Sequence, residues 1–205
     1  MPNTNANKYH FDVKNCYRVK GVRQEDGSID FTEGTPVAEP GLMSFEASAT
    51  GDISTIRADG IDYIVVSNNG GYDLTLNFVK VSDAFKTDLL GEVQDPATGI
   101  IYEDADAEPS PFALMGEFKG DVEGIRWIYY NVTANRTSQN GDNKENQKEP
   151  DTESITAKAS PLPVTINDEE KNIVRGAITK SINAATYNAW FTQVTLPTGA
   201  ASQGG

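Results

Sequence analysis

One histidine and one cysteine stand alone among 205 residues, and they set a low ceiling on catalysis. Nucleophilic catalysis by a Ser-His-Asp arrangement needs a base beside its nucleophile. His10 lies next to a polar terminus, and the chain has no Gly-x-Ser-x-Gly. Cys16 has no neighbouring signature of an activated thiolate and is expected to be a small reduced side chain. Zinc is excluded by the same scarcity of ligands. The run Glu103-Asp-Ala-Asp-Ala-Glu108 places Asp104, Asp106 and Glu108 like the first alternating ligands of a calcium loop. Pro109 then occupies the place of the required glycine, and Met115 that of the bidentate glutamate. The run therefore reads as a solvated acidic loop. Gly116, Gly120 and Gly124 recur every fourth residue but lack the Lys-Ser/Thr pair of a phosphate loop. They read as turn and bulge glycines. No metal, cofactor or catalytic residue is expected.

The elements that would position any site are mostly strands. Tyr72, Leu74, Leu76 and Phe78 alternate with Asp73, Thr75 and Asn77, which predicts a strand buried on one face. Met43, Phe45, Ala47 and Ala49 alternate in the same way with Ser44, Glu46, Ser48 and Thr50. Residues 9–22 carry a first strand. Residues 62–67 are β-branched and run into Asn68-Asn-Gly-Gly71, read as a hairpin turn. Residues 82–91 predict a short helix, with Ser82 as cap and Gly91 at its end. Residues 100–102 predict a short strand after the turn at 95–99. Residues 112–132 hold two apolar runs around a polar, glycine-marked break, the pattern of two strands and a turn. Ile155, Ala157 and Ala159 alternate up to Pro161-Leu-Pro163, where that strand should end. Residues 174–182 predict a strand and 184–191 a short helix. Two long polar excursions remain, 21–41 and 133–150.

Composition adds a strong bias. Seventeen Lys and Arg face thirty Asp and Glu, a formal net charge of −13. Such a chain repels nucleic acid and anionic membrane instead of binding them. No apolar run approaches the ~20 residues of a membrane-spanning helix, and the opening Met1-Pro-Asn-Thr-Asn-Ala-Asn-Lys8 has no signal-like apolar stretch. The expected organisation is a polar arm at 1–8, one β domain at 9–197, and a Gly-rich tail at 198–205.

Several segments together resemble the major tail proteins of siphophages, the long non-contractile-tailed phages, from Gram-positive hosts. They are Ala58-Asp59 with Tyr63, Gly71-Tyr72, Leu90-Gly91, Phe112-Ala-Leu-Met-Gly-Glu-Phe118, Gly120-Asp121 and Arg126-Trp-Ile-Tyr-Tyr-Asn131. The resemblance implies a β-sandwich or partly closed barrel of the tail-tube type, with one or two short helices and long polar loops. It also implies hexameric rings stacked around a tape-measure protein, contacts with tail-tip and terminator proteins, and DNA passing through without specific binding. The protein would be made in the host cytoplasm and end in the virion. A β-sandwich module binding carbohydrate or a host surface is the rival reading from another class.

Two sets of residues follow as candidates. Asp73, Thr75 and Asn77, or Glu46 with Ser44 and Ser48, would face the lumen, where acidic walls keep DNA from adhering across a Debye length of ~8 Å. Glu25, Asp26 and Glu33 in the first polar loop, and Asn140, Asp142, Lys144 and Glu145 in the second, would contact neighbouring subunits or rings.

Overall fold

The computed structural model describes residues 12–118, 124–138 and 151–199. His10, Asn140, Asp142, Lys144, Glu145, the arm at 1–8 and tail residues 200–205 lie outside the described residues. The chain is mainly β. Its strands are β1 Val13–Lys20, β2 Val22–Arg23, β3 Ile29–Asp30, β4 Val37–Ala38, β5 Leu42–Thr50, β6 Ile53–Ala58, β7 Ile61–Ser67 and β8 Gly71–Phe78. After helix α1 (Asp83–Leu89) come β9 Val93–Gln94, β10 Ile101–Tyr102, β11 Phe112–Phe118, β12 Arg126–Ala134 and β13 Glu153–Ala159. The last elements are β14 Leu162–Ile166, β15 Glu169–Ile173, β16 Arg175–Ile178 and helix α2 Ala184–Ala189.

One antiparallel sheet dominates, in the order β4-β1-β11-β12-β13-β8-β5, with β16 also paired to β12. Strands β4 and β5 are consecutive in the chain, yet β4 pairs with β1 and β5 with β8. That path brings the two ends of the sheet together, so it curls into a partly closed barrel. Inside lie Phe45 from β5, Leu74, Leu76 and Phe78 from β8, and Ile155 from β13. Phe112, Leu114, Trp127 and Tyr129 face them from β11 and β12. Phe85 and Leu89 of α1 join the same cluster. Ser82 caps this helix by accepting from the Phe85 amide at 3.0 Å, and Gly91 follows at φ +78°. The sequence placed both signals.

Strands β11 and β12 are buried on both faces, which explains their nearly unbroken apolar runs. Their outer residues Ala113, Met115, Ile128 and Tyr130 meet Ile29, Leu162 and Trp190 in a second cluster. Gly116 lies under the Trp127 ring, where an added Cβ would come 2.4 Å from the indole Cζ2. Gly116→Ala must push the ring off its stack with Phe45, whose centroid is 4.7 Å away. A loss of ~1–3 kcal/mol in urea unfolding is expected, and an unchanged midpoint would contradict this packing.

Several expectations shift on contact with the fold. Asn68-Asn-Gly-Gly71 does not close a hairpin, because β7 pairs with β6 and β8 with β5. The hairpin turn is at Asp59 and Gly60, both at positive φ (54° and 80°). A register shift at Met43 turns that side chain outward to 58% exposure, and Leu42 packs against the core in its place. Chain pairing also continues past Pro161: β14 and β15 form a hairpin turned by Asn167 and Asp168, again at positive φ. Pro163 is tolerated there because β14 pairs on one side only. The strand expected over 174–182 is shorter, Arg175–Ile178. Residues 21–41 contain the small β2–β3 hairpin and the edge strand β4.

Candidate assembly surface

Because β5, β8 and β13 each bury alternate residues in the barrel, their remaining residues share the outer face. The register sets these residues in rows: Ser44–Asn77–Ser154, Glu46–Thr75–Thr156 and Ser48–Asp73–Lys158. Asp73, Thr75, Asn77 and Glu46 thus stand on one surface, and the two alternative lumen sets are halves of the same face. Asn77 Nδ2 donates to Ser44 Oγ at 2.8 Å across it. Thr133 of β12 extends the Asp73 row beyond Lys158. The face is mostly hydroxyl and amide, and its acids are few. Lys158 is the one cation in these rows, and it stands opposite Asp73.

The first loop set lies elsewhere on the barrel, over the second cluster. Glu25, Asp26 and Glu33 are exposed around the β2–β3 hairpin. Asp26 is a turn residue: its Oδ1 accepts from the Ser28 hydroxyl at 2.6 Å and the Ser28 amide at 2.9 Å. Those bonds hold its carboxyl below the usual value.

A further exposed apolar surface was not singled out from the sequence. Strands β6 and β7 pair only with each other, continuing the β5–β8 ribbon past the barrel. Ile53, Ile56, Ile61, Tyr63, Ile64, Val65 and Val66 are all exposed, from 43% at Ile64 to 73% at Ile53. Ser54 faces Val66 and Ile56 faces Ile64 on one side, while Thr55 faces Val65 on the other. A register shift follows Ile56, and Arg57 Nε then bonds Asp62 Oδ1 at 2.6 Å near the tip. Both faces of this ribbon are therefore apolar, and neither is covered by its own chain. Fully burying one such side chain is worth ~1.5–3 kcal/mol, so the ribbon holds a large unused driving force. The signal was present: two β-branched runs joined by Asp59-Gly60, with no polar alternation to make a solvent face.

The interior holds buried charge. Arg18 is 1% exposed, with Nε 2.5 Å from Glu39 Oε1 and Nη2 2.8 Å from Asp88 Oδ2. Ser82 Oγ donates to the other Glu39 oxygen at 2.8 Å. This network ties α1 to β1. Burial, reinforced by the Glu39 charge, pushes the Cys16 thiol up to about 12, so it stays a neutral core side chain. Asp104, Asp106 and Glu108 are not gathered into a cage, and Asp104 instead accepts from the Asp106 amide at 3.0 Å. Among the described residues, no group of three or more His, Cys, Asp or Glu could hold a metal ion. Among them too, no helix is long and apolar enough to cross a membrane.

Glu117 is a densely bonded carboxylate. It accepts from Arg126 at 2.8 Å and Asn15 at 2.6 Å, with Lys14 at 3.0 Å. Burial opposes its ionisation, but these partners outweigh burial and lower its pKa. A lowered carboxylate stabilises the fold above its unfolded pKa, and that stability disappears as pH falls through the folded value. Glu117→Gln should therefore flatten the acid limb of a melting-temperature profile taken below about pH 5. Parallel acid limbs would assign the pH dependence to turn aspartates such as Asp26, Asp30 and Asp95, whose pKa values are also lowered.

No family model and no curated protein matches the chain. Among solved structures it is similar to a chain of the sheath–tube complex of an extracellular contractile injection system (PVC) in its extended state. The identity is 11%, covering 87% of this chain and 100% of that one, with a TM-score of 0.45. It is also similar to the tube-terminating cap of the anti-feeding prophage, at 10% identity over 87% and 97% of the two chains, TM-score 0.45. A chain of that prophage's baseplate gives 11% identity over 83% and 97%, TM-score 0.39. Likenesses this distant carry no weight for function.

Proposed function

We propose that the protein is a structural subunit that self-associates into stacked rings, forming the hollow tail tube of a phage. The carrying observation is the β6–β7 ribbon, with seven exposed large apolar side chains that only another molecule can cover. Its position supports the reading as well. The ribbon leaves the same two strands, β5 and β8, whose polar outer face carries Asp73, Thr75, Asn77 and Glu46. One hairpin thus offers an adhesive end and a hydrophilic wall. In a ring, that wall faces the bore, and its hydroxyl-rich rows give passing DNA no array of cations to hold. The resemblance to siphophage major tail proteins implies the rest: hexameric rings, a tape-measure protein inside, tail-tip and terminator proteins at the ends, and passage of the genome. Glu25, Asp26 and Glu33, with Asn140, Asp142, Lys144 and Glu145, remain candidates for contacts with neighbouring subunits or rings. Trp127 and Trp190 are both buried, so neither offers a platform for a sugar. The test is negative-stain electron microscopy of the concentrated protein with light scattering for mass. Hollow rings or tubes are expected, and a protein that stays monomeric alone and with tail-tip components would overturn the reading.

A further inference from the structure

If copies associate through the ribbon, its own charges decide when they do so. The attraction is apolar and has no need of ion pairs. Several cations are also already committed, because Lys14, Arg18, Arg57, Arg126, Arg136 and Lys171 each sit beside an acid of their own chain. Against the attraction stands the net charge of −13 on every copy. The ribbon carries part of that repulsion itself. Of its acids, Asp62 is neutralised by Arg57. Asp52 at the root and Asp59 at the tip are both exposed, and Arg57 is the only cation between residues 51 and 70. Each end of the adhesive surface thus presents one unbalanced negative charge to an acidic partner.

We propose that Asp52 and Asp59 form an electrostatic brake on ribbon-mediated association of this chain with itself, released by ionic screening. The proposal rests on the self-association reading above. Raising sodium chloride from about 20 to about 300 mM shortens the Debye length from roughly 20 Å to below about 10 Å, which removes most repulsion between apposed surfaces. The apolar attraction is left in place. Association should therefore strengthen with salt, the reverse of an interface held by ion pairs. At low ionic strength such a brake keeps subunits dispersed, a control that a bare apolar edge would lack.

The probe is the double variant Asp52→Asn with Asp59→Asn. Asparagine adopts the left-handed conformation of position 59 (φ 54°) readily, so the turn is kept. At position 52 the structural bond is the backbone carbonyl accepting from the Asn68 amide, which the change leaves alone. Critical concentrations would be measured by light scattering across the salt range, with circular dichroism to verify the fold. For the unaltered protein the critical concentration should drop about tenfold or more as salt rises, and the variant should associate already at low salt with a flatter dependence. Superimposed salt curves, or an unaltered protein that associates best at low salt, would overturn the brake while leaving self-association intact. Absence of association in both proteins at every salt would overturn self-association, and the brake with it.

Discussion

Deleting residues 53–67 should yield a folded monomer that does not assemble. The ends of that deletion already face each other: the Asn68 amide donates to Asp52 O at 3.0 Å, and the Gly70 amide to Thr50 O at 2.7 Å. No ribbon residue belongs to either core cluster. Melting should therefore shift little, as expected for changes away from packed or bonded features, within about 0.5 kcal/mol. A subtler variant, Ile56→Asp with Ile64→Asp, puts like charges opposite each other on one ribbon face. Removing two apolar anchors worth ~1.5–3 kcal/mol each should weaken association at least ~100-fold, because each 1.4 kcal/mol is a factor of ten. Sedimentation velocity reads both outcomes. A deletion that assembles as well as the unaltered protein would remove the ribbon from the account.

Arg18→Ala should produce the largest loss of stability. Among the described residues the guanidinium is the only cation bonded to the buried Glu39 carboxylate, and it also reaches Asp88 of α1 and stacks 5.7 Å from the Phe85 centroid. Removing one partner of a buried pair leaves the other charge in a poor solvent, at about 3–5 kcal/mol. At ~2–4 °C per kcal/mol for a chain of this size, melting should fall by roughly 6–20 °C. Replacing both partners tests the cause. Arg18→Met with Glu39→Leu should recover much of the loss, because no charge is then stranded. If the double variant is no better than the sum of the single ones, packing around Arg18 matters more than its charge.

These two positions mark opposite limits of what the sequence discloses. Alternation in residues 72–78 revealed β8 and its polar face, because a strand buried on one side writes its burial in every second residue. Ser82 and Gly91 likewise announced the ends of α1. Register was not legible. Nothing local says that Glu46 stands beside Thr75, or that two candidate sets form one surface. Arg18 lies in a strand where a charged residue normally faces water, and only the distant Glu39 and Asp88 make its burial tolerable. The ribbon failed for a different reason: an apolar run declares that it will be covered, and leaves open by what. Turns at Asp59-Gly60 and Asn167-Asp168 had recognisable chemistry, yet the flanking strands were read as ending at more conspicuous Gly and Pro residues.

The most direct test of the account is a three-dimensional reconstruction, by electron cryomicroscopy, of whatever assemblies the concentrated protein forms. The account predicts a hollow tube in which β6–β7 is buried against a neighbouring copy and the rows holding Asp73, Thr75, Asn77 and Glu46 line the bore. A tube with that face on its outer wall, or with the ribbon left in solvent, would contradict it.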